Sequence, residues 1–213
     1  LAYNIFKYHF EKVLYLNSFD IVKKIISKNN LEKCFFFLYS HKAEKNWRQL
    51  NKSLNKKIVN IDSGIQFDVY NLNSISGEKL LNLNNLNEFA KKDKPLVSFV
   101  SKFVKNNLPF HISMMNLHLS NKLSQKDLIK TLHVMIQHRF WLLKTDRFYH
   151  VYSDKILSQN DWLKWNLKFL MTDCLVSPRY IGHSLERNFN LLRQNATSFI
   201  KTIIPKVIYD SEE

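Results

Sequence analysis

Glycine is nearly missing. Gly64, Gly77 and Gly182 are the three glycines in 213 residues. They lie too far apart to form a GxGxxG or GxxxxGK[ST] loop, which needs clustered glycines for backbone amides to approach phosphate. A nucleotide held in such a cradle is excluded, and so is the GxSxG nucleophile elbow. Proline occurs 4 times and cysteine twice, as Cys34 and Cys174. Two cysteines make no disulfide framework and no CxxC pair, which fits a reducing compartment. No run of 18 uncharged apolar residues exists, so no membrane span is expected. HExxH is also absent.

The abundant residues are Lys (26, against 6 Arg), Asn (23) and Phe (16). Lys, Asn, Phe, Ile and Tyr have AT-rich codons, so part of the positive charge reflects coding drift. The net charge is nonetheless +14, beyond the few units that solubility asks for. It is also blocked: residues 1–60 carry +8, 61–100 carry −1, 101–150 carry +6 and 151–213 carry +1. Two separated basic blocks are the footprint of a polyanion partner. The chain begins at Leu1 rather than Met, as would a product from which a mitochondrial targeting segment has been removed.

Hydrophobic spacing suggests a mainly α fold, or α+β with a small antiparallel hairpin, in which several amphipathic helices surround one core. Helices are expected within residues 1–16, from Ser18 to Asn29-Asn30, over 41–57, over 78–92 and over 96–108, where Phe99, Val100, Phe103 and Val104 would point inward. Ser124 with Asp127, and Ser158 with Asp161, are capping pairs. The first should open a helix reaching Leu142 or Leu143, the second one with Trp162, Trp165 and Phe169 on a single face. A last helix should start near Ser184 and carry Leu185, Phe189, Leu192, Ala196 and Phe199 until Pro205. Ile65, Phe67 and Val69 alternate as a half-buried strand, giving a hairpin within 58–72. Phe35–Tyr39 suits a strand or a buried helical turn. HISMMNLHLS (111–120) and RFYHVYSDK (147–155) read as extended. The expected organisation is a basic helical region (1–57), a hairpin with a short helix (58–94) and a helical core region with an acidic tail (95–213).

Within 41–57, Trp47, Leu50 and Leu54 form an apolar stripe. Lys45, Arg48, Lys52 and Lys56 recur at the same spacing on a neighbouring arc, joined by Lys42 and Lys57. Such a helix docks by its stripe and holds a ladder of cations outward. Lys126, Lys130 and Lys144 would share the outer face of a second helix. Arg139 and Arg147 lie near Trp141, Tyr149 and Tyr152, the mixture of cations and rings that an RNA loop can use. These residues (Lys42, Lys45, Arg48, Lys52, Lys56, Lys57, Lys126, Lys130, Arg139, Trp141, Lys144 and Arg147) are the candidate RNA contacts.

Candidates for catalysis are thinner. Asp146, Asp154, Asp161 and Asp173, with Lys155 nearby, are the densest carboxylates and could hold a divalent ion, but helix caps and turns account for them. His111 and His118, and His133 and His138, lack metal-ligand spacing. No catalytic residue, cofactor or metal is therefore expected.

The function these observations suggest is a structural, non-enzymatic component of a mitochondrial ribosome or similar ribonucleoprotein in the matrix. Its lysine-rich helix faces would hold ribosomal RNA phosphates beside neighbouring ribosomal proteins, with no small-molecule substrate. The alternatives are a non-spanning accessory subunit of a mitochondrial membrane complex and a divergent organellar nuclease.

Overall fold

A computed structural model describes residues 16–39, 72–84, 96–118, 123–145, 148–172, 175–194, 196–197 and 202–212. The helix expected within 1–16, the basic helix of 41–57, the hairpin of 58–72 and the second half of the 78–92 helix lie outside them.

A sheet, not a helical bundle, organises the described residues, which corrects the expectation of a mainly α protein. In chain order they form α1 (Ser18–Asn29), β1 (Lys33–Tyr39), β2 (Asn73–Ser76), α2 (Gly77–Asn82), β3 (Leu96–Lys105), β4 (Leu108–Leu117), α3 (Gln125–Met135), β5 (Phe140–Lys144) and β6 (Tyr149–Leu157). Then follow α4 (Gln159–Leu170), α5 (Pro178–Arg187), β7 (Leu191–Arg193), β8 (Ala196–Thr197), β9 (Thr202–Ile203) and β10 (Lys206–Asp210). Eight strands make one sheet in the order β10-β5-β6-β4-β3-β1-β2, with β7 also paired to β3. Every pairing is antiparallel.

Helices cover both faces of this sheet, and that explains why its strands were hard to see. A half-buried strand alternates apolar with polar residues, whereas a strand buried on both sides is apolar throughout. Residues 96–100 of β3, LVSFV, are all buried. Their continuous apolar run satisfies a helical template as readily as an extended one, so the helix expected over 96–108 is instead β3 and the turn after it. Asn106 and Asn107 make that turn with φ of 51° and 59°. Two successive left-handed residues define the tight hairpin turn whose twist matches its flanking strands, and Asn tolerates that region better than most residues.

The period of two then divides the core. Met114, Trp141, Leu143, Tyr152 and Val207 point to one face, where Phe19, Ile21, Val22, Ile25 and Ile26 of α1 and Leu80 of α2 pack with Phe99 and Phe103. Met115, Leu117, Phe140, Leu142 and Val151 point to the other, against Leu128 and Leu132 of α3, Phe169 of α4 and Ile181 of α5.

Local chemistry sets the helix ends. Asn17 and Asp20 form a reciprocal capping box on α1, and Asn30 closes it in the left-handed region at φ 52°. Ser124 and Ser158 each accept a hydrogen bond from the backbone three residues on, at Asp127 and Asp161, as expected. The helix after Ser124 stops at Met135, well short of Leu142, because β5 is drawn into the sheet beside β6. The last helix also ends early: Asn188 caps α5 at φ 64°, and Leu191–Arg193 add to β3 as β7. Gly77 has a steric reason to be glycine, since a Cβ there would sit 1.8 Å from the carbonyl oxygen of Leu31.

Candidate functional site

At the end of the sheet where β4 finishes and β6 begins, polar side chains replace apolar ones on the α1 face. Asn116 follows Met114 by two residues and lies opposite His150 in the β4–β6 ladder. His118 is one step past the strand, its amide donating to the carbonyl of Leu175 at 2.8 Å. The Asn116 amide nitrogen and His118 Nε2 are 3.1 Å apart, and the His118 ring stacks on Phe148 with centroids 3.9 Å apart. The N-terminus of α1 lies at the same end: Asn17 bridges to Lys206, which is opposite Lys144. Ser18 donates its hydroxyl to the carbonyl of Gln194, whose amide nitrogen donates to the Tyr152 hydroxyl at 2.8 Å.

Several of these groups are incompletely satisfied. His150 Nδ1, Asn116 Oδ1 and Gln194 Oε1 are buried without a hydrogen-bond partner. Each such atom costs about 1–3 kcal/mol, and buried polar groups are normally paired. A fourth such atom, Asn166 Oδ1, is on α4; the three gathered at this sheet end are what a site keeps when a ligand supplies the partners. Burial, then the positive charge of Arg193 and then His118, hold the pKa of His150 down at about 3. Burial lowers that of His118 too. Both rings are therefore neutral near pH 7, each with one donor and one acceptor nitrogen. With the Asn116 carbonyl they offer hydrogen bonds suited to hydroxyl or N–H groups, next to the positive Arg193 and the Phe148 ring, which is 38% exposed.

A second polar network lies deeper and is closed. His111 Nδ1 is 3.0 Å from Ser101 Oγ, and its Nε2 is 3.0 Å from Gln159 Oε1, with the ring stacked on Trp162. Asn190 joins Ser101, Trp162 and the carbonyl of Met114. Every ring nitrogen of His111 is engaged, so it braces β3, β4 and α4 and offers no face to a ligand.

The candidate RNA contacts fall in different places. Lys42, Lys45, Arg48, Lys52, Lys56, Lys57 and Arg147 lie outside the described residues. Lys126 and Lys130 are exposed on α3, and Lys144 is exposed on β5 with its ammonium 4.0 Å from the Tyr149 ring centroid. Arg139 and Trp141 are brought together by Asp210. The guanidinium donates to both carboxylate oxygens, at 3.0 and 2.6 Å, and Trp141 Nε1 donates at 2.8 Å. Arg139 also pairs with Glu212 and lies 4.9 Å above the buried Trp141 ring.

The candidate carboxylates do not converge. Asp154 pairs with Lys28, Asp161 accepts from the hydroxyl of Ser158, the N-cap of α4, and Asp146 and Asp173 lie outside the described residues. Among the described residues no group of three His, Cys, Asp or Glu is placed to hold a metal ion. His133 is spent on the Tyr209 hydroxyl at 2.7 Å. No helix of the described residues is long and apolar enough to cross a membrane.

Residues 76–206 match the family model described as AEP-like: Archaeo-eukaryotic primase 1D-like. That span exceeds half of the chain. The chain belongs to the AEP-like family. No curated protein and no solved structure matches it. Membership overturns the reading as a structural component of a mitochondrial ribosome or ribonucleoprotein, together with its two alternatives. Net charge misled for a simple reason: it accompanies solubility and several kinds of partner, so it does not tell one task from another. The AEP-like span contains Asn116, His118, His150 and Arg193, which sequence reasoning passed over as site residues. One signal was available. In HISMMNLHLS, the alternation that marks a strand also puts Asn116 and His118 on the face of Met114, where two apolar side chains would be expected.

Proposed function

We propose that the chain acts as a primase-like domain that binds single-stranded nucleic acid. The strand end meets the polar cluster of Asn116, His118 and His150 at the end of the sheet, beside Lys144 and Lys206. The observation that carries this reading is the family match over residues 76–206, which supply most of the sheet and this cluster. The +14 charge supports it, because phosphate contacts give most of the affinity for a strand. Asn116 Oδ1 would accept from sugar hydroxyls or base N–H groups, His150 Nδ1 would accept or donate according to its tautomer, and the Phe148–His118 pair would give a stacking surface.

Primer synthesis is a further step. Polymerases join nucleotides with divalent ions that stabilise the attacking and leaving oxygens, and such hard cations take carboxylate oxygens. The donor set of the cluster is two neutral imidazoles and an amide, which suits neither ion. Asp154 and Asp210 are held by Lys28 and by Arg139 with Trp141. Among the described residues no carboxylate pair is placed to hold magnesium, so the proposal extends to strand binding and names no synthetic step.

Fluorescence anisotropy with a labelled single-stranded oligonucleotide tests it. Binding should weaken steeply with salt, and Asn116→Ala with His150→Ala should reduce affinity several-fold at constant salt. Absence of binding at low salt would overturn the assignment. Template-directed incorporation of labelled nucleotides in magnesium or manganese would overturn the restriction to binding.

A further inference from the structure

On the opposite face of the sheet, a cavity opens between the end of α3, β6 and α4. Its volume is about 190 Å³. The way α4 sits explains its lining. Trp162 and Phe169, seven residues apart, point straight into the sheet and are fully buried. Trp165 falls between them at the margin of the buried face and stays half-buried, its Nε1 donating to the carbonyl of Met114 at 3.3 Å. The ring is thereby fixed in orientation at the wall. Met135, Ile136 and Leu157 complete an apolar floor.

The rim is cationic. Lys164 and Lys168 are one helical turn apart on α4, and Lys155 stands on β6. Lys168 donates to the carbonyl of Met135 at the end of α3, which holds its ammonium at the mouth. Asp161 is the one acid of the lining, and it is occupied as the partner of Ser158. Like charges one turn apart repel by a few tenths of a kcal/mol, a penalty that a phosphate across the mouth removes. A cavity of about 190 Å³ is below the roughly 300 Å³ at which small-molecule pockets begin. It takes one planar ring system and leaves the sugar and phosphate outside.

We propose that this cavity is a base-binding subsite: one unstacked base of a single strand packs on Trp165 while Lys155, Lys164 and Lys168 hold the flanking phosphates. This rests on the strand-binding function, and it adds a contact on the far face of the sheet from the Asn116–His150 cluster. A strand engaged at both places passes around an end or edge of the sheet. Stacking on a fixed aromatic ring is tolerant of base identity, so the subsite contributes affinity more than sequence choice.

Intrinsic fluorescence of the full chain, titrated with oligo(dT), oligo(rU) and heparin, tests the subsite. Both oligonucleotides should quench the tryptophan signal, and heparin, which carries charge without bases, should not. Trp165→Phe should lose most of the quench while binding within about twofold of the parent. Trp165→Ala should weaken binding about tenfold. Lys164→Gln with Lys168→Gln should lower the salt slope by about 1.4, as expected for the loss of two phosphate contacts to a single strand. Quenching by only one oligonucleotide would show a preference set by the 2′-hydroxyl or the 5-methyl group and leave the subsite standing. A full quench retained in Trp165→Phe, an equal quench by heparin, or unchanged binding in the lysine variant would overturn the subsite while leaving strand binding intact. If the parent chain binds neither oligonucleotide, the strand-binding function itself falls.

Discussion

His150 and His111 lie buried under opposite regimes of hydrogen bonding, yet burial drives both in one direction. The pKa of His111 is lowered to about 4 and that of His150 to about 3, against 6.5 in an unfolded chain. Between those limits the unfolded chain binds protons that the folded chain refuses. Stability is therefore complete above about pH 7 and falls as pH drops through 6.5 toward 4. Each ring should remove about 1.4 kcal/mol per pH unit across that window. Urea unfolding at pH 7.0 and pH 5.0 should show a clear loss of stability at the lower pH, and His150→Leu should remove about half of it. An unchanged midpoint between the two pH values would mean that these rings are not buried as described. Asp210 is the converse case at the same scale: a buried carboxylate whose two oxygens are both filled, by Arg139 and Trp141. A sequence reader sees Arg139 and Trp141 as a cation beside a ring and assigns them to RNA. Only the fold shows that an aspartate from the far end of the chain, in β10, has already engaged both.

Among the elements, those written in local chemistry were legible. Asn29-Asn30 as a stop, Ser124 with Asp127, and Ser158 with Asp161 each act within one helical turn, so the sequence alone shows both partners. Strands β4 and β6 were also visible as extended segments, because HISMMNLHLS and RFYHVYSDK break the helical period. What stayed hidden needed non-local information. Nothing within LVSFVSKFVK says that helices will cover both of its faces, and nothing near Phe189 says that Leu191–Arg193 will pair with Ser98–Val100. The same limit hid the polar cluster, whose members Asn116, His150 and Arg193 come from three strands that only the sheet order brings together. Abundant Asn blurred the picture further, since a stop or turn signal is diluted when the residue occurs 23 times. The turn at Asn106-Asn107 gives a direct check on the element that was misread. Asn107 has φ 59°, so a β-branched side chain there is strained and glycine is not. Asn107→Val should cost about 1–2 kcal/mol in urea unfolding, and Asn107→Gly should be neutral or slightly stabilising. A tolerated valine would mean that the hairpin is not closed by this turn.

For the molecule as a whole, the family match and the folding unit do not coincide. Residues 76–206 leave out α1, β1, β2 up to its last residue, and all but the first residue of β10. Yet the core on the α1 face runs from Phe19 to Val207, and β1 is the neighbour of β3 along most of that strand. Five apolar side chains of α1 are buried there, namely Phe19, Ile21, Val22, Ile25 and Ile26. At about 2 kcal/mol for each buried side chain they contribute roughly 10 kcal/mol of gross burial, as much as the whole net stability of an ordinary domain. A fragment limited to 76–206 would uncover Phe99, Phe103 and Tyr152, strip β3 of one hydrogen-bonded neighbour and remove the carboxylate that holds Arg139. It should lack near-ultraviolet circular dichroism, bind a hydrophobic dye and show no cooperative urea transition, while the full chain unfolds in one step. A cooperatively folded fragment would mean that α1 and β1 are additions to a self-sufficient core. Its loss of structure would mean that in this chain the primase-like sheet is completed by segments on either side of the stretch that resembles the family.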